Sequence, residues 1–309
     1  MRIAILGTFV LDEIYDLEKS KTESLGGISY SLAILSNLLN DDDTIIPIAN
    51  MGEDGYEKIT SYFSNRKNID FSALNIAAEN NTRVRLYYHD RENRVEFLSH
   101  RLPPLTLEQV MAAGDIDVLL INFITGFELT LDTFQEIGRH TNALTYMDFH
   151  SLSLGIDDDG KRFIKKPSDW KSWMNSIDIL QFNEFEAALL KEKQDDFKTF
   201  GQKLVHAGAK VVNVTLGSKG SVVTHLRFDK IISNEIQAFV YGEAVDVTGC
   251  GDAFAGGFIV EYVKTVDPLR SAINGNRIAG FNSTLKGIKQ IRRLSSFIKQ
   301  DVDQIYLDE

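Results

Sequence analysis

Short apolar runs recur along this chain, and their spacing restricts the fold more than any other feature. The runs are rich in β-branched residues and lie at residues 3–9, 44–49, 118–124, 144–149, 177–182 and 211–216. Segments with helical spacing separate them, so strands and helices alternate. Continuous apolar strands joined by helices indicate a sheet that is buried on both faces. The sequence therefore predicts an α/β fold with a doubly wound, mostly parallel sheet, and a ligand site at the carboxyl ends of its strands.

One region departs from this pattern and predicts a hairpin. Between residues 82 and 100, Val84, Leu86 and Tyr88 alternate with Arg83 and Arg85, and the alternation resumes after a polar turn at 89–93. An apolar sheet face needs a cover, either the mouth of the site or a second subunit in a homodimer. We therefore predict a small antiparallel lid, formed by segments near 9–26 and 80–102, on a single domain over residues 1–309.

Composition excludes several classes of partner. The chain has 33 Lys and Arg against 44 Asp and Glu, a net charge of −11, which argues against nucleic-acid binding. Its longest apolar stretch, at 118–127, is shorter than the roughly 20 residues that span a bilayer, so no membrane partner is expected. A single Cys and 6 scattered His argue against a Cys/His metal site and favour a reducing, cytoplasmic location.

The most informative motif lies at residues 246–257 and reads Asp-Val-Thr-Gly-Cys-Gly-Asp-Ala-Phe-Ala-Gly-Gly. Gly249 and Gly251 flank Cys250 before a predicted helix, so backbone amides and the positive helix end can surround an anion. Glycines before a helix and an acidic residue in its first turn also occur without a function, so spacing alone leaves both interpretations open. Phe254 and Gly257 exclude the dinucleotide fingerprint and the P-loop, which require Gly and Lys at those positions.

This motif resembles the carboxy-terminal signature of the ribokinase-like (PfkB) carbohydrate kinases, Asp-Thr-x-Gly-Ala-Gly-Asp-x-Phe. Val247 and Cys250 replace the usual Thr and Ala. Other landmarks of the family follow one another in its order, namely Gly7 with Asp12, Gly26-Gly27, Gly52-Glu53-Asp54, Asn183-Glu184-Phe185-Glu186 and the loop at 215–220. Each is weak alone, since Asn183 with Glu186 is also a helix-capping box. Their joint occurrence extends the resemblance over nearly the whole chain.

The resemblance implies an ATP-dependent kinase that transfers the γ-phosphoryl group to a hydroxyl of a sugar or sugar derivative. Asp252 would be the general base, and the amides of Gly249, Cys250 and Gly251 would form the anion hole. The acceptor would contact Asp12, Gly26, Gly27 and Ser31, where Ser31 replaces the family's usual Asn, and Asp246 would support the loop. The residues expected near ATP are Asn183, Thr215, Gly217, Gly220, Asn274 and Asn276, with Glu186 ordering Mg²⁺.

Several alternatives stay open at this stage. The same machinery serves nucleoside kinases, and a catalytically silent relative would act as a binding subunit. Arg83 and Arg85 either reach an anionic acceptor from the lid or form the solvated face of the hairpin. The thiol of Cys250 would lie beside the transferred phosphoryl group, where a helix N-terminus favours the thiolate, or would be a buried apolar side chain.

Overall fold

The computed structural model describes residues 1–90 and 94–305. Part of the predicted turn at 89–93 and the last four residues of the predicted domain, 306–309, therefore lie outside the described residues. The strands, numbered along the chain, are β1 (Arg2–Leu6), β2 (Phe9–Tyr15), β3 (Lys21–Gly27), β4 (Thr44–Gly52), β5 (Leu74–Ala78), β6 (Arg83–Tyr88), β7 (Arg94–Ser99), β8 (Val118–Asn122), β9 (Leu144–Asp148), β10 (Leu154–Ile156), β11 (Arg162–Ile164), β12 (Ile179–Asn183), β13 (Val211–Thr215), β14 (Ser221–Arg227) and β15 (Lys230–Ile236).

Helices connect these strands. They are α1 (Ser29–Leu38), α2 (Glu53–Phe63), α3 (Leu107–Met111), α4 (Leu131–His140), α5 (Glu184–Leu190), α6 (Phe197–His206), α7 (Cys250–Thr265), α8 (Pro268–Asn282), α9 (Gly287–Gln290) and α10 (Leu294–Ile305). Within the described ranges, none of them combines the length and apolar character needed to cross a bilayer.

The main sheet has nine strands in the order β15-β14-β13-β12-β9-β8-β1-β4-β5. The pairs from β13 to β5 are parallel, whereas β14 and β15 are antiparallel additions at one edge. One face packs against α1, α2, α7 and α8, and the other against α3, α4, α5 and α6. Apolar strands such as β1 are buried on both faces because helices cover both. The predicted fold class is confirmed.

A second, four-stranded sheet has the order β3-β2-β6-β7 and forms the lid. Its outer pairs are antiparallel as predicted, but β2 and β6 at its centre are parallel. The predicted strand at 3–9 is in fact two strands, because β1 pairs in the main sheet and β2 in the lid. Val84, Leu86 and Leu98 on the apolar face of the lid are buried in the core of their own chain.

A short hairpin that the sequence did not predict joins the lid to the main domain. Its strands, β10 and β11, pair with each other over three residues. The amide of Leu98 in β7 donates to the carbonyl of Gly160 in the hairpin turn at 2.8 Å, and Phe97 bridges to Lys161. The hairpin therefore packs along one edge of the lid.

Candidate active site

A cleft of about 860 Å³ lies between the lid and the carboxyl ends of the main strands. Asp12 and Gly27 line it from the lid side, and Asn122, Asp148 and Asn183 line it at the ends of β8, β9 and β12. The loop before α7 completes the wall. This is the edge at which the fold class predicts a ligand site.

Asp252 lies in the first turn of α7 and is held by side chains from two other elements. The hydroxyl of Ser31 in α1 donates to Asp252 Oδ1, and the amide of Asn122 donates to the same oxygen at 3.0 Å. Burial raises the pKa of Asp252 above its ordinary value, while these donors and the charge of His150 oppose that rise. The arrangement fixes one carboxylate oxygen and directs the other toward the cleft.

The loop before α7 requires a glycine at Gly249. Gly249 has a φ of 75°, and a Cβ at this position would lie 2.3 Å from Cδ1 of Tyr30. Asp246 holds the loop from both sides, because its carboxylate accepts from the amides of Thr248 at 2.9 Å and Gly287 at 3.0 Å. Asp246 is thus placed as the loop support that the resemblance implies.

The predicted anion hole needs one correction. The amide of Cys250 already donates to the carbonyl of Val247 at 3.1 Å, so it is not free for a ligand. In the described part of the chain, the amides of Gly249 and Gly251 have no acceptor, and both residues line the cleft. These two amides are therefore the available donors.

Of the two interpretations of Cys250, the structure favours the shielded side chain over the reactive thiolate. The thiol lies between α7 and α8, where Sγ is 3.6 Å from the carbonyl oxygen of Ala279 and from Nδ2 of Asn282. Burial raises the pKa of Cys250 to about 11. The environment stabilises the neutral thiol because desolvation exceeds any benefit from the helix end.

Asp148 and Glu186 are two further carboxylates that line the cleft. Asp148 is buried and accepts from Nε2 of Gln181 at 3.1 Å, and the same Nε2 donates to the carbonyl of Gly251 at 3.2 Å. Burial and the charge of Glu186 raise the pKa of Asp148 well above its ordinary value. Burial is the larger cause, and the charge of His150 opposes the rise in part.

Glu186 belongs to a capping box at the start of α5. Oδ1 of Asn183 accepts from the backbone amide of Glu186 at 2.9 Å, and Oε2 of Glu186 accepts from the backbone amide of Asn183 at 2.9 Å. His150 Nδ1 lies 3.7 Å from Glu186 Oε1. Burial lowers the pKa of His150, but the bond to Glu186 and the charge of Asp148 outweigh it and raise the pKa.

At the lid end of the cleft, Asp12 and Gly26 lie in direct contact. A Cβ on Gly26 would lie 2.0 Å from Oδ2 of Asp12, so only glycine leaves room for this carboxylate. Burial and the charge of Glu96 raise the pKa of Asp12 to about 7, against the opposing charge of Arg94. The structure thus brings together Asp12, Gly26, Gly27 and Ser31 near the cleft, as expected of an acceptor site.

The two lid arginines do not face the cleft as free cations. Arg83 forms an ion pair with Asp54 of the Gly-x-Asp landmark. Arg85 is exposed and lies outside the cleft, because the alternation of β6 turns Val84 and Leu86 inward instead. The interpretation of Arg85 as a solvated residue is therefore the correct one.

Of the residues expected near the nucleotide, Asn183 and Thr215 line the cleft and the others do not. Asn274 donates to the carbonyl of Gly257 at 2.8 Å, and Asn276 donates to the carbonyl of Ile236 at 3.3 Å. Both amides therefore tie α8 to its neighbours. Gly217 and Gly220 bound the turn that follows β13, and their contact with a nucleotide stays a prediction.

Sequence reasoning missed several residues that line the cleft, among them Asn122, Asp148, Gln181 and Arg162. Asn122 and Gln181 interrupt apolar strands near their carboxyl ends, and this was a usable signal because ligands bind there. Arg162 gave no signal, since it lies in the hairpin that the sequence did not predict.

Comparison with solved structures shows which fold the chain has. The chain superposes on a sulfate complex of a pyrophosphate-dependent kinase in the ribokinase family with a TM-score of 0.76 at 17% identity, covering 93% of this chain and 96% of the other. At this identity the likeness shows the fold, which is that of the ribokinase-like kinases.

Residues 51–290 match the pfkB family carbohydrate kinase description. The chain therefore belongs to the pfkB family of carbohydrate kinases, which confirms the predicted family and enzyme class. An ATP-dependent 6-phosphofructokinase of Thermoanaerobacterium thermosaccharolyticum is 22% identical over 254 residues, covering 77% of this chain and 72% of the relative. A cytidine kinase of Thermococcus kodakarensis is 34% identical over 104 residues, covering 34% of this chain and 36% of the relative.

Proposed function

We propose that this protein transfers the γ-phosphoryl group of ATP to a hydroxyl of a sugar or sugar derivative, with Asp252 as the general base. The observation that carries the proposal is the placement of Asp252. Its carboxylate is fixed by Ser31 and Asn122 at the floor of the cleft, next to the unpartnered amides of Gly249 and Gly251.

The chemistry follows from this arrangement. The acceptor oxygen forms a bond to the γ-phosphorus, the bond from that phosphorus to the ADP oxygen breaks, and Asp252 takes the hydroxyl proton. Ser31 and Asn122 both donate to Oδ1, so Oδ2 is the oxygen that meets the hydroxyl. The amides of Gly249 and Gly251 stabilise charge that develops on the transferred group.

The residues at the other end of the cleft suit a nucleotide with Mg²⁺. Burial and the charge of Glu186 raise the pKa of Asp148, with His150 opposing, and a divalent cation would further stabilise the two carboxylates in their ionised form. In the described ranges, no group of three or more acidic, His or Cys side chains forms a metal cage. Mg²⁺ commonly binds through one or two carboxylates, waters and phosphate oxygens, and at this place it would neutralise phosphate charge.

A nucleoside acceptor is the second candidate. Tyr30 and Tyr88 line the cleft and offer aromatic faces for a base, and one relative is named a cytidine kinase.

The remaining predictions are a cytoplasmic location, no nucleic-acid or membrane partner, and one domain that includes the lid.

The test is an ADP-release assay over neutral sugars, sugar acids, phosphosugars and nucleosides, with Mg²⁺ present and then removed by chelation. We expect ADP release that requires both a hydroxylated acceptor and Mg²⁺, with mass spectrometry showing an acceptor heavier by one phosphoryl group. A preference for nucleosides over every sugar would select the second candidate. ADP release that is the same with and without any acceptor would contradict phosphoryl transfer.

A further inference from the structure

The cleft contains a guanidinium whose charge is not paired. Arg162 on β11 lines the cleft, and its Nη1 and Nη2 donate to the carbonyls of Ile124 at 3.2 Å and Thr125 at 3.1 Å. Its buried Nε has no hydrogen-bond partner. Among the residues that the structure describes, no carboxylate lies within ion-pair distance of Arg162.

The nearest acidic groups are already engaged elsewhere. Glu96 pairs with Arg94 at 2.8 Å. Glu128 is buried and accepts from the hydroxyl of Thr8 at 2.8 Å and from the amides of Thr125 at 2.6 Å and Gly126 at 3.0 Å. Both carboxylates act on Arg162 only at longer range, so within the described ranges its positive charge lines the cleft without a counterion.

Burying an unpaired guanidinium raises the free energy of the folded protein unless a ligand supplies the missing anion. Burial lowers the pKa of Arg162, yet an arginine keeps its proton in proteins. Removing a cation from water without a partner therefore destabilises the folded protein. The two carbonyl acceptors hold the guanidinium in one orientation, which prepares it to bind a planar or tetrahedral anion through more than one N–H group.

The position of Arg162 assigns it to the acceptor end of the cleft. Ile124, which accepts from Arg162, lies against Gly27 of the predicted acceptor site, where a Cβ on Gly27 would be 3.1 Å from Cγ2 of Ile124. The hairpin that carries Arg162 is bonded to β7 of the lid through Gly160. The nucleotide loop at 215–220 follows β13, on the other side of β9 and β12 in the main sheet.

We propose that Arg162 binds an anionic group of the acceptor, a carboxylate or a phosphate, so that the acceptor is a sugar acid or a sugar phosphate. This inference rests on the proposed kinase function and narrows its substrate class. It assigns to Arg162 the role for which Arg83 and Arg85 were candidates in the sequence. Asp12 binds hydroxyls beside the anionic group, and Asp252 meets the hydroxyl that is phosphorylated.

The experiment measures kcat/KM for matched acceptors that keep the same sugar ring and differ only at C6, such as glucose, glucuronate and glucose 6-phosphate, and fructose with fructose 6-phosphate. Wild type is compared with Arg162→Gln, Arg162→Lys and the control Arg85→Gln, which removes an exposed cation outside the cleft. We expect Arg162→Gln to lower kcat/KM for the anionic acceptor by about 10- to 100-fold, the effect of one charged hydrogen-bonding group. Neutral acceptors should change by less than about twofold.

The outcomes distinguish the role of Arg162 from the kinase function on which it rests. Arg162→Lys should recover part of the loss, because it keeps the charge, and thermal unfolding checks that both variants fold. If the wild type prefers the sugar acid, the anion that Arg162 binds is a carboxylate. If it prefers the sugar phosphate, the anion is a phosphate. A wild-type preference for neutral acceptors, or an equal loss on both members of a pair, overturns the inference but leaves the kinase function intact.

If no acceptor supports phosphoryl transfer, the kinase function fails, and calorimetry of the same anionic acceptors then tests Arg162 alone. Binding to wild type that Arg162→Gln weakens supports the inference. Absence of binding to wild type, or binding that Arg162→Gln does not change, contradicts it.

Discussion

Asp252 depends on side chains that are far away in the sequence. Asn122 and Ser31 reach it from the end of β8 and from α1, at separations of 130 and 221 residues. The motif at 246–257 identified the carboxylate itself, because local spacing encodes the loop and the helix start. Local spacing could not predict that Ser31 and Asn122 donate to Asp252, because only the packing of α1 and α7 against the main sheet brings them to it.

Asn122 should act as a positioning residue for Asp252. Replacing it with Leu removes a donor that favours the ionised carboxylate, so the pKa of Asp252 should rise further. We expect kcat to fall by about tenfold and the acid limb of the kcat/KM profile to move to higher pH. Steady-state kinetics from pH 5 to 9 measure both effects, with the exposed Asn142→Ala as the control. An unshifted acid limb would rule out this role.

Cys250 should be unreactive in the folded protein. With a pKa of about 11, only about one thiol in a thousand is ionised at pH 8. Maleimide labelling followed by mass spectrometry should be slow in buffer and fast in guanidinium chloride. Cys250→Ala should keep full activity. Rapid labelling of the native protein that ATP slows would instead place the thiol at the phosphate site.

The apolar face of the lid packs against the core of the same chain. The apolar face that was expected to need either closure or a second subunit is buried against the core through Val84, Leu86 and Leu98. The alternation in the sequence predicted this face correctly in β6 but not in β7, where Leu98 lies opposite Val84 and Phe97 lies opposite the exposed Arg85. It did not predict the parallel pairing of β2 with β6, because β2 follows β1 with only two residues between them and its neighbours come from distant segments.

Leu86→Asp should therefore impair acceptor binding rather than assembly. Leu86 lines the cleft, and a charge there would disrupt the packing of the lid over the acceptor. We expect KM for the acceptor to rise at least about tenfold, with little change in KM for ATP and no change in the sedimentation profile. The exposed Arg85→Asp on the opposite face of β6 is the control. A changed oligomeric state with unchanged kinetics would favour a lid dimer.

Across the whole molecule, the central strands of the main sheet were predicted and its edge strands were not. Polar residues interrupt the edge strands β5, β14 and β15, so their sequences contain no continuous apolar run. The buried strands β1, β8 and β13 were predicted, because the main sheet is covered on both sides. The β10–β11 hairpin was not, since strands of three residues leave no clear period. Arg162 was missed for the same reason.

The carboxylates of the cleft should make the unliganded protein less stable at high pH. Burial raises the pKa of Asp148 to about 8, above its unfolded value, so the folded state holds this proton more tightly. The stabilisation is fully present below the unfolded pKa and is lost as the pH rises through about 8. Asp148→Asn should raise the melting temperature by about 2 °C or more at pH 8.5.

Thermal unfolding at pH 5 and 8.5 tests this prediction, with the exposed Asp41→Asn as the matched control. The difference between Asp148→Asn and wild type should be clearly smaller at pH 5, which lies much closer to the unfolded pKa of Asp148 than pH 8.5 does. An equal difference at both pH values would show that the buried charge is not the cause.

The central claim is that Asp252 takes the proton during phosphoryl transfer, and the single-turnover rate of Asp252→Asn tests it most directly. The amide keeps the size of the side chain and can still accept from Asn122, but it cannot accept the proton. We predict a rate lower than wild type by about 10²- to 10⁴-fold with an unchanged dissociation constant for ATP. A variant that keeps more than about a tenth of the wild-type rate would contradict the assignment of Asp252 as the general base.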